Sequence, residues 1–224
     1  RNKKLGLLGI NIGPNKDSSD RLNDYLIGLK TFYDDADYIT INISSPNTEN
    51  LRAFHEGDKL QNLLKSIMSE RKNLKSNIPI AVKVSPDISE DQVNKISEIL
   101  LEYEIKAIIV SNTSEATRDK LSNIQRHQKG GLSGKPIEEK SNILINKFYK
   151  LLKGKIKIIG VGGVDSGQAA YDKFIAGADY IQLYTGMVFK GPNIVGIIKK
   201  DLKELLIRDG VKNYTEIVGN KTLS

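Results

Sequence analysis

The chain has 224 residues, a formal net charge of +7 and no cysteine. This length is enough for one domain with a sizeable core, and the lack of cysteine excludes disulfides, thiolate metal sites and thiol nucleophiles. The two histidines, His55 and His127, do not have the spacing of metal ligands. The sequence shows no transmembrane run and no signal peptide.

Six short apolar runs, rich in β-branched residues, predict six strands. They lie near residues 7–12, 37–43, 79–84, 107–112, 156–161 and 180–184. Amphipathic stretches separate them. Ser89 and Gln92 have the spacing of a capping box, and Ser166 begins a predicted helix that ends at Gly177. This alternation of strand and helix predicts right-handed βαβ units in one parallel sheet, and therefore an α/β fold.

Polar residues stand at or near the carboxyl ends of several predicted strands. Asn42 alternates with Ile41 and Ile43, so its amide points to the opposite face of an extended strand, and Ser45 follows it closely. Asn11, Lys83 and Asn112 are found in comparable positions elsewhere. A solvated strand end explains any one of these residues. Strand ends that converge on a ligand explain all of them together.

Glycines mark the ends of the last two predicted strands. The segments are 160–163, Gly-Val-Gly-Gly, and 185–186, Thr-Gly. In α/β barrels this is a common place for a phosphate, which is held by backbone N–H groups and the start of a short helix. A glycine pair alone is more often only a turn.

Several of these motifs resemble dihydroorotate dehydrogenases. Segment 42–48, Asn-Ile-Ser-Ser-Pro-Asn-Thr, is similar to the substrate loop of that family, and segment 158–164, Ile-Ile-Gly-Val-Gly-Gly-Val, also matches. Further matches at 9–13, 81–87, 130–136 and 182–192 extend the resemblance over nearly the whole chain. The chain resembles the class 2, quinone-reducing branch, because class 1 enzymes use a cysteine where this chain has Ser45.

The resemblance implies a fold and a location. The family fold is an FMN-binding TIM (β/α)8 barrel, of which residues 1–224 would supply the third to eighth strands as a single domain. Six strands cannot close such a barrel, and the chain begins with Arg1 rather than Met, so we expect a C-terminal portion. The first two strands and the membrane-contacting helices would lie in the absent part. The protein would sit peripherally on the bacterial inner membrane, at its cytoplasmic face, or on the mitochondrial inner membrane, while this portion alone would be soluble.

The resemblance also implies an activity, the oxidation of dihydroorotate to orotate in pyrimidine biosynthesis with a quinone as electron acceptor. Ser45 would be the base that removes a proton from C5, and Thr48 would relay that proton. The pyrimidine would be bound by Asn42, Asn47, Asn112 and Thr113. The cofactor FMN would be bound by Asn11, Asn42, Lys83, Ser111, Ser133, Gly134, Val161, Gly162, Gly163, Leu183, Tyr184 and Thr185.

Three alternatives stay open at this point. Another FMN-dependent barrel oxidoreductase would share the glycine-rich segment but would lack the loop at 42–47. An inactive fragment is favoured by the missing strands. A binder of nucleic acid or of an anionic surface would use the net positive charge, but the lysines are scattered and are not interleaved with aromatic residues, so we predict no nucleic-acid partner.

Overall fold

A computed structural model of the chain describes residues 6–46, 51–116, 118–119 and 121–220. The strands are β1 Gly9–Ile12, β2 Tyr38–Asn42, β3 Ile80–Val84, β4 Ala107–Val110, β5 Lys157–Val161 and β6 Tyr180–Gln182. The helices are α1 Arg21–Phe32, α2 Gly57–Asn73, α3 Glu90–Glu102, α4 Glu138–Leu152, α5 Gly167–Ala176, α6 Thr185–Lys190 and α7 Ile194–Arg208. Short 3₁₀ helices span Leu51–His55, Ile124–His127, Lys135–Ile137 and Tyr214–Glu216.

The strands follow one another in the sheet in chain order, from β1 to β6. The pairs β1–β2, β2–β3 and β5–β6 are parallel, with Asn11 opposite Thr40 and Asn42 opposite Lys83. Sequential order is the strand order of a TIM barrel, whereas a doubly wound sheet reverses direction part of the way along. The predicted α/β class and strand order are therefore confirmed.

Three strands end earlier than the sequence predicts, β2 by one residue and β4 and β6 by two residues each. Segment 107–112 leaves the sheet after Val110, and segment 180–184 leaves it after Gln182. After Val110 the side chains bond to the backbone of the next residue, since Ser111 Oγ donates to the Asn112 carbonyl at 3.2 Å and Asn112 Oδ1 accepts from Thr113 N at 2.8 Å. Such local bonds compete with the sheet ladder.

The first of two compact units comprises Arg1–Val84, Ile88–Ile109 and Leu151–Lys157. Helix α2 buries Leu60, Leu63, Leu64 and Ile67, the spacing of one helical face. The predicted capping box at the start of α3 is confirmed, because Ser89 Oγ accepts from Gln92 N while Gln92 Oε1 accepts from Ser89 N.

The second unit comprises Ser85–Asp87, Val110–Lys150 and Ile158–Ser224. Helix α5 begins after Ser166, whose side chain caps it, and ends at Gly177 in the left-handed region, as predicted. None of the helices in the described part of the chain is both long enough and apolar enough to cross a membrane. That residues 1–224 form a single domain stays a prediction.

Two isoleucines of α4 provide a test of the core in the second unit. Ile145 is completely buried, whereas Ile143, two residues away, is 54% exposed. We expect Ile145→Ala to lower the free energy of unfolding by about 2–5 kcal/mol, because it leaves a cavity. Ile143→Ala should change it by less than about 0.5 kcal/mol. Urea unfolding of the native protein measures both, and equal losses would contradict this assignment of the buried face.

Candidate functional site

One face of the strands in the first unit carries polar side chains. Paired residues in a parallel ladder point to the same face, and so do residues two apart along a strand. The register therefore places Asn11, Thr40, Asn42 and Lys83 on one face. The opposite face presents Ile12, Ile39, Ile41, Ile80 and Val82, all buried.

A side-chain turn follows β2. Asn42 Oδ1 accepts hydrogen bonds from Ser44 N at 3.2 Å and from Ser44 Oγ at 2.9 Å. The Asn42 carbonyl accepts from the hydroxyl of Tyr25 at 2.6 Å. Burial of Tyr25 raises the pKa of its phenol, so this hydroxyl stays a donor. Helix α1 thus fixes the backbone at the point where the predicted substrate loop begins.

Ser45 follows this turn directly. It is half-buried and lies one residue beyond Ser44, whose position Asn42 fixes. The predicted substrate residue Asn47 and the predicted relay residue Thr48 lie outside the described residues.

Lys83 is the cationic group of the polar face. Its side chain is half-buried, and burial lowers the pKa of its ammonium group. Asn11, by contrast, is exposed in β1. In the first unit the structure thus places three predicted residues, Asn11, Asn42 and Lys83, on one face.

In the second unit, the carbonyl of Val161 joins three elements. It accepts from Ser111 N, just after β4, at 3.1 Å and from Ser141 Oγ of α4 at 2.6 Å. Gly162 and Gly163 follow with φ angles of +116° and +79°. Ser111, Val161, Gly162 and Gly163, all predicted cofactor residues, are therefore neighbours in space or in sequence.

A hydroxyl pair lies elsewhere in the second unit. Thr185 Oγ1 donates to Ser133 Oγ at 2.9 Å, and a Cβ added to Gly134 would lie 2.9 Å from Thr185 Cγ2. Leu183 and Tyr184 precede Thr185, and the side chain of Tyr184 is 80% exposed. The predicted residues Ser133, Gly134 and Thr185 are thus in contact.

Asn112 and Thr113, predicted to bind substrate, begin a segment that is anchored by a carboxylate. Asp87 Oδ1 accepts from Ser114 Oγ at 2.6 Å and from Lys140 Nζ, and Asp87 Oδ2 accepts from Glu115 N at 2.7 Å. Burial opposes ionisation of Asp87, but these three donors outweigh it and lower the pKa of the carboxyl group. The backbone that follows Asn112 is therefore held by an ionised side chain.

The glycine segment suits a phosphate group. The Val161 carbonyl is engaged by Ser111 and Ser141, and in a trans peptide the N–H of the next residue points in the opposite direction. The Gly162 N–H is thus directed away from these two donors. Backbone N–H groups that are directed outward in this way can bind a phosphate. These residues therefore fit the phosphate end of FMN.

Three positioning side chains are absent from the sequence-based site. Tyr25, Ser141 and Lys173 make contacts with residues 17 to 32 positions away in the chain, which sequence spacing does not reveal. Lys173 did carry a signal, since it stands within the predicted helix among Ala170, Phe174 and Ile175, on what proves to be a buried side.

Comparisons with known proteins agree with this arrangement. The family model described as dihydroorotate dehydrogenase matches residues 1–206. A dihydroorotate dehydrogenase (quinone) of Bartonella tribocorum is 45% identical over 219 residues, which cover 96% of this chain and 61% of that protein. One of Parvibaculum lavamentivorans is 39% identical and is covered over 62% of its length.

A solved structure is also similar. The dihydroorotate dehydrogenase of Eimeria tenella, crystallised with ferulenol, superposes with a TM-score of 0.93 at 31% sequence identity. The superposition covers 98% of this chain and 63% of that one.

Sequential parallel strands with polar carboxyl ends define an α/β protein with the strand order of a TIM barrel. It spans about three fifths of the length of the curated relatives that it matches. Within that class, the chain belongs to the dihydroorotate dehydrogenase family.

Gly163 provides a test of the glycine segment. Its φ is +79°, and an added Cβ would lie 2.4 Å from Glu138 Cβ and 2.8 Å from Glu138 Cα. Gly154 has a similar φ of +75° but no atom within 4 Å of an added Cβ. We expect Gly154→Ala to cost about 1–2 kcal/mol of unfolding free energy from backbone strain alone. Gly163→Ala should cost about 1–3 kcal/mol more, because α4 must move.

Denaturant unfolding of both variants makes this comparison. The close packing of segment 160–163 on α4 would be refuted by equal losses of stability in the two.

Proposed function

We propose that the native protein oxidises dihydroorotate to orotate with FMN as cofactor and a quinone as final electron acceptor, in pyrimidine biosynthesis. The observation that carries the proposal is the turn after β2, in which Asn42 holds Ser44 and so fixes the start of the loop that bears Ser45. Membership of the dihydroorotate dehydrogenase family supports the same reaction. A different FMN-dependent barrel oxidoreductase is disfavoured, since it would lack the loop at 42–47.

The amides bind the pyrimidine in this proposal. An amide both donates and accepts hydrogen bonds, which suits a ring that alternates N–H and C=O groups. Asn42 and Asn112 are each held at one end by a backbone contact, Asn42 through Ser44 N and Asn112 through Thr113 N. These contacts orient the two side-chain amides, which in this proposal hydrogen-bond the pyrimidine ring. Asn47 and Thr113 complete the proposed substrate set.

Ser45 acts as the base. A free serine hydroxyl is a very weak base, so it needs a fixed position and an exit for its own proton. Two restraints on the preceding backbone supply the position, from Tyr25 to Asn42 and from Ser44 to Asn42. Thr48 is the proposed exit for the proton that Ser45 releases as it takes one from C5.

The remaining predicted residues hold the cofactor. FMN, when bound, supplies the acceptor for the hydride that leaves C6 and passes two electrons on to the quinone. Lys83 and Asn11 contact its ring in this proposal, and the Lys83 ammonium offsets negative charge that develops there. The phosphate and ribityl chain lie against the segment 161–163, the Ser133–Thr185 hydroxyl pair and their neighbours Ser111, Gly134, Leu183 and Tyr184.

The quinone and the membrane complete the proposal. The two bacterial relatives carry the name dihydroorotate dehydrogenase (quinone), so we assign a quinone to this protein as well. We place the contact with the membrane and the quinone in the part of the relatives that this chain does not cover. The proposed location is the periphery of the inner membrane of a bacterium, on its cytoplasmic side, or of a mitochondrion.

Ser45→Ala tests the proposed base. We expect the purified native protein to be yellow with one FMN per chain, in the wild type and in the variant. Mixing with dihydroorotate in a stopped-flow instrument should reduce the flavin absorbance about 10²–10⁴-fold more slowly in the variant, the range that a general base contributes. Reoxidation by quinone should be unchanged, because that half-reaction does not use the substrate loop.

Ser45→Cys provides the matched control. A thiol ionises more readily than a hydroxyl, so this variant should retain part of the activity with its pH optimum shifted downward. If Ser45 only stabilised the turn, Ser45→Ala would lower stability and affect both half-reactions alike. An unchanged rate of flavin reduction in Ser45→Ala would exclude Ser45 as the base.

A further inference from the structure

Lys173 is a buried cation that the proposed reaction does not use. Its side chain is completely buried in α5, beside Ala170 and Phe174. Its Nζ donates to Asn142 Oδ1 at 2.8 Å and to Ser141 Oγ at 3.2 Å, both neutral atoms of α4. Burying an ammonium group beside neutral acceptors is costly. This cost points to a role for the charge, and the atoms that the lysine contacts indicate that role.

The contacts of Lys173 lead to the glycine segment. Lys173 has only donors, so the Ser141 oxygen must accept from it, and the single proton of Ser141 is then directed elsewhere. Its closer acceptor is the Val161 carbonyl, 2.6 Å away, while the Val110 carbonyl lies at 3.4 Å. A Cβ added to Gly160 would lie 3.1 Å from Lys173 Cδ, and one added to Gly162 would lie 3.3 Å from Ser141 Cβ. Lys173 and Ser141 therefore pack directly behind residues 160–162.

This chain of donors fixes the peptide between Val161 and Gly162. With the Val161 carbonyl turned toward Ser141, the Gly162 N–H points away from the buried lysine. The positive charge of Lys173 lies on the same side as the carbonyl and behind the N–H. An anion at the Gly162 N–H would thus bind a hydrogen-bond donor, with the buried charge of Lys173, which solvent screens little, on the far side of the peptide.

We propose that Lys173 is a positioning residue for phosphate at the segment 161–163, acting through Ser141 on the Val161–Gly162 peptide and through its own buried charge. The inference rests on the proposed function, because it takes the phosphate to be that of FMN. It assigns to Lys173 a part in recognising the phosphate group and no part in holding the flavin ring.

Because Lys173 can lose its proton, the proposed role predicts that the affinity for FMN depends on pH. Burial lowers the pKa of Lys173 to about 8, and nearby charges modify this, with Glu138 and Asp172 raising it and Lys135 lowering it. Glu138 is itself paired with Lys135 at 2.5 Å. A bound phosphate dianion favours protonated Lys173, so binding above the pKa must also take up a proton. The affinity for FMN should therefore be highest below about pH 8 and fall as the pH rises through that value.

The experiment compares FMN with riboflavin, which lacks the phosphate. Apoprotein prepared from the native protein is titrated with each while flavin fluorescence is followed. Lys173→Met should weaken FMN binding at least about tenfold at neutral pH, as expected on loss of one charged interaction, and change riboflavin binding less than about threefold. Ser141→Ala should weaken FMN in the same direction. Lys199→Met, which removes an exposed lysine of α7, should change neither affinity.

Other results of these titrations would contradict the role of Lys173 or the assignment of FMN as cofactor. Equal losses for FMN and riboflavin, or no loss for either, would overturn the role of Lys173 while leaving FMN as the cofactor. A wild-type protein that binds neither flavin would overturn the cofactor assignment together with this inference. If circular dichroism shows that Lys173→Met does not fold, the wild type is titrated from about pH 7 to about pH 9.5, where the phosphate stays a dianion. A constant ratio of FMN to riboflavin affinity would then overturn the inference.

Discussion

The carbonyl of Val161 is the point on which the second unit's candidate site depends. It ends β5 and accepts from the backbone after β4 and from Ser141 of α4, which in turn accepts from Lys173 of α5. One acceptor thus fixes the end of a strand relative to three other segments of the same unit. Because the peptide is planar, fixing its carbonyl also fixes the N–H that follows. The direction of the Gly162 N–H is therefore set by buried side chains rather than by the loop itself.

In the first unit, the corresponding constraint is the parallel register. Asn42 lies opposite Lys83, and Asn11 lies opposite Thr40. Because side chains alternate between the two faces along each strand, this register places the polar side chains on one face and the apolar side chains on the other. Buried isoleucines and valines occupy the other face. Tyr25 then links α1 to the Asn42 carbonyl, and its ring packs edge-on against Phe54 at 5.9 Å between ring centroids.

Sequence alone predicted the strands because each is a nearly continuous apolar run, and it predicted their order because strand and helix alternate. It placed three strand ends too late, at residues 43, 112 and 184 instead of Asn42, Val110 and Gln182. After Val110, side chains hydrogen-bond to nearby backbone groups, which sequence spacing does not reveal. It selected Asn42, Lys83 and the glycines as candidate site residues, because their types stand out against their surroundings. It missed Tyr25 and Ser141, because an aromatic or a serine on a helix gives no sign that its hydroxyl reaches a distant carbonyl. For Gly163, the sequence indicated that a glycine is needed for close approach of a ligand. The structure adds a second reason, because a side chain at this position would clash with Glu138.

Stability and phosphate binding favour opposite protonation states of the buried Lys173. With a pKa lowered from 10.5 to about 8 in the folded state, Lys173 binds fewer protons there than in the unfolded chain. Its contribution to stability is therefore most favourable above the unfolded pKa and is lost as the pH falls toward 8. Phosphate recognition has the reverse preference, because it needs the protonated form. A fold selected for stability alone would place an apolar residue at this position. The charge at this position is best explained by its proposed effect on the Val161–Gly162 peptide and on the bound phosphate. Functional sites commonly break such local rules of stability.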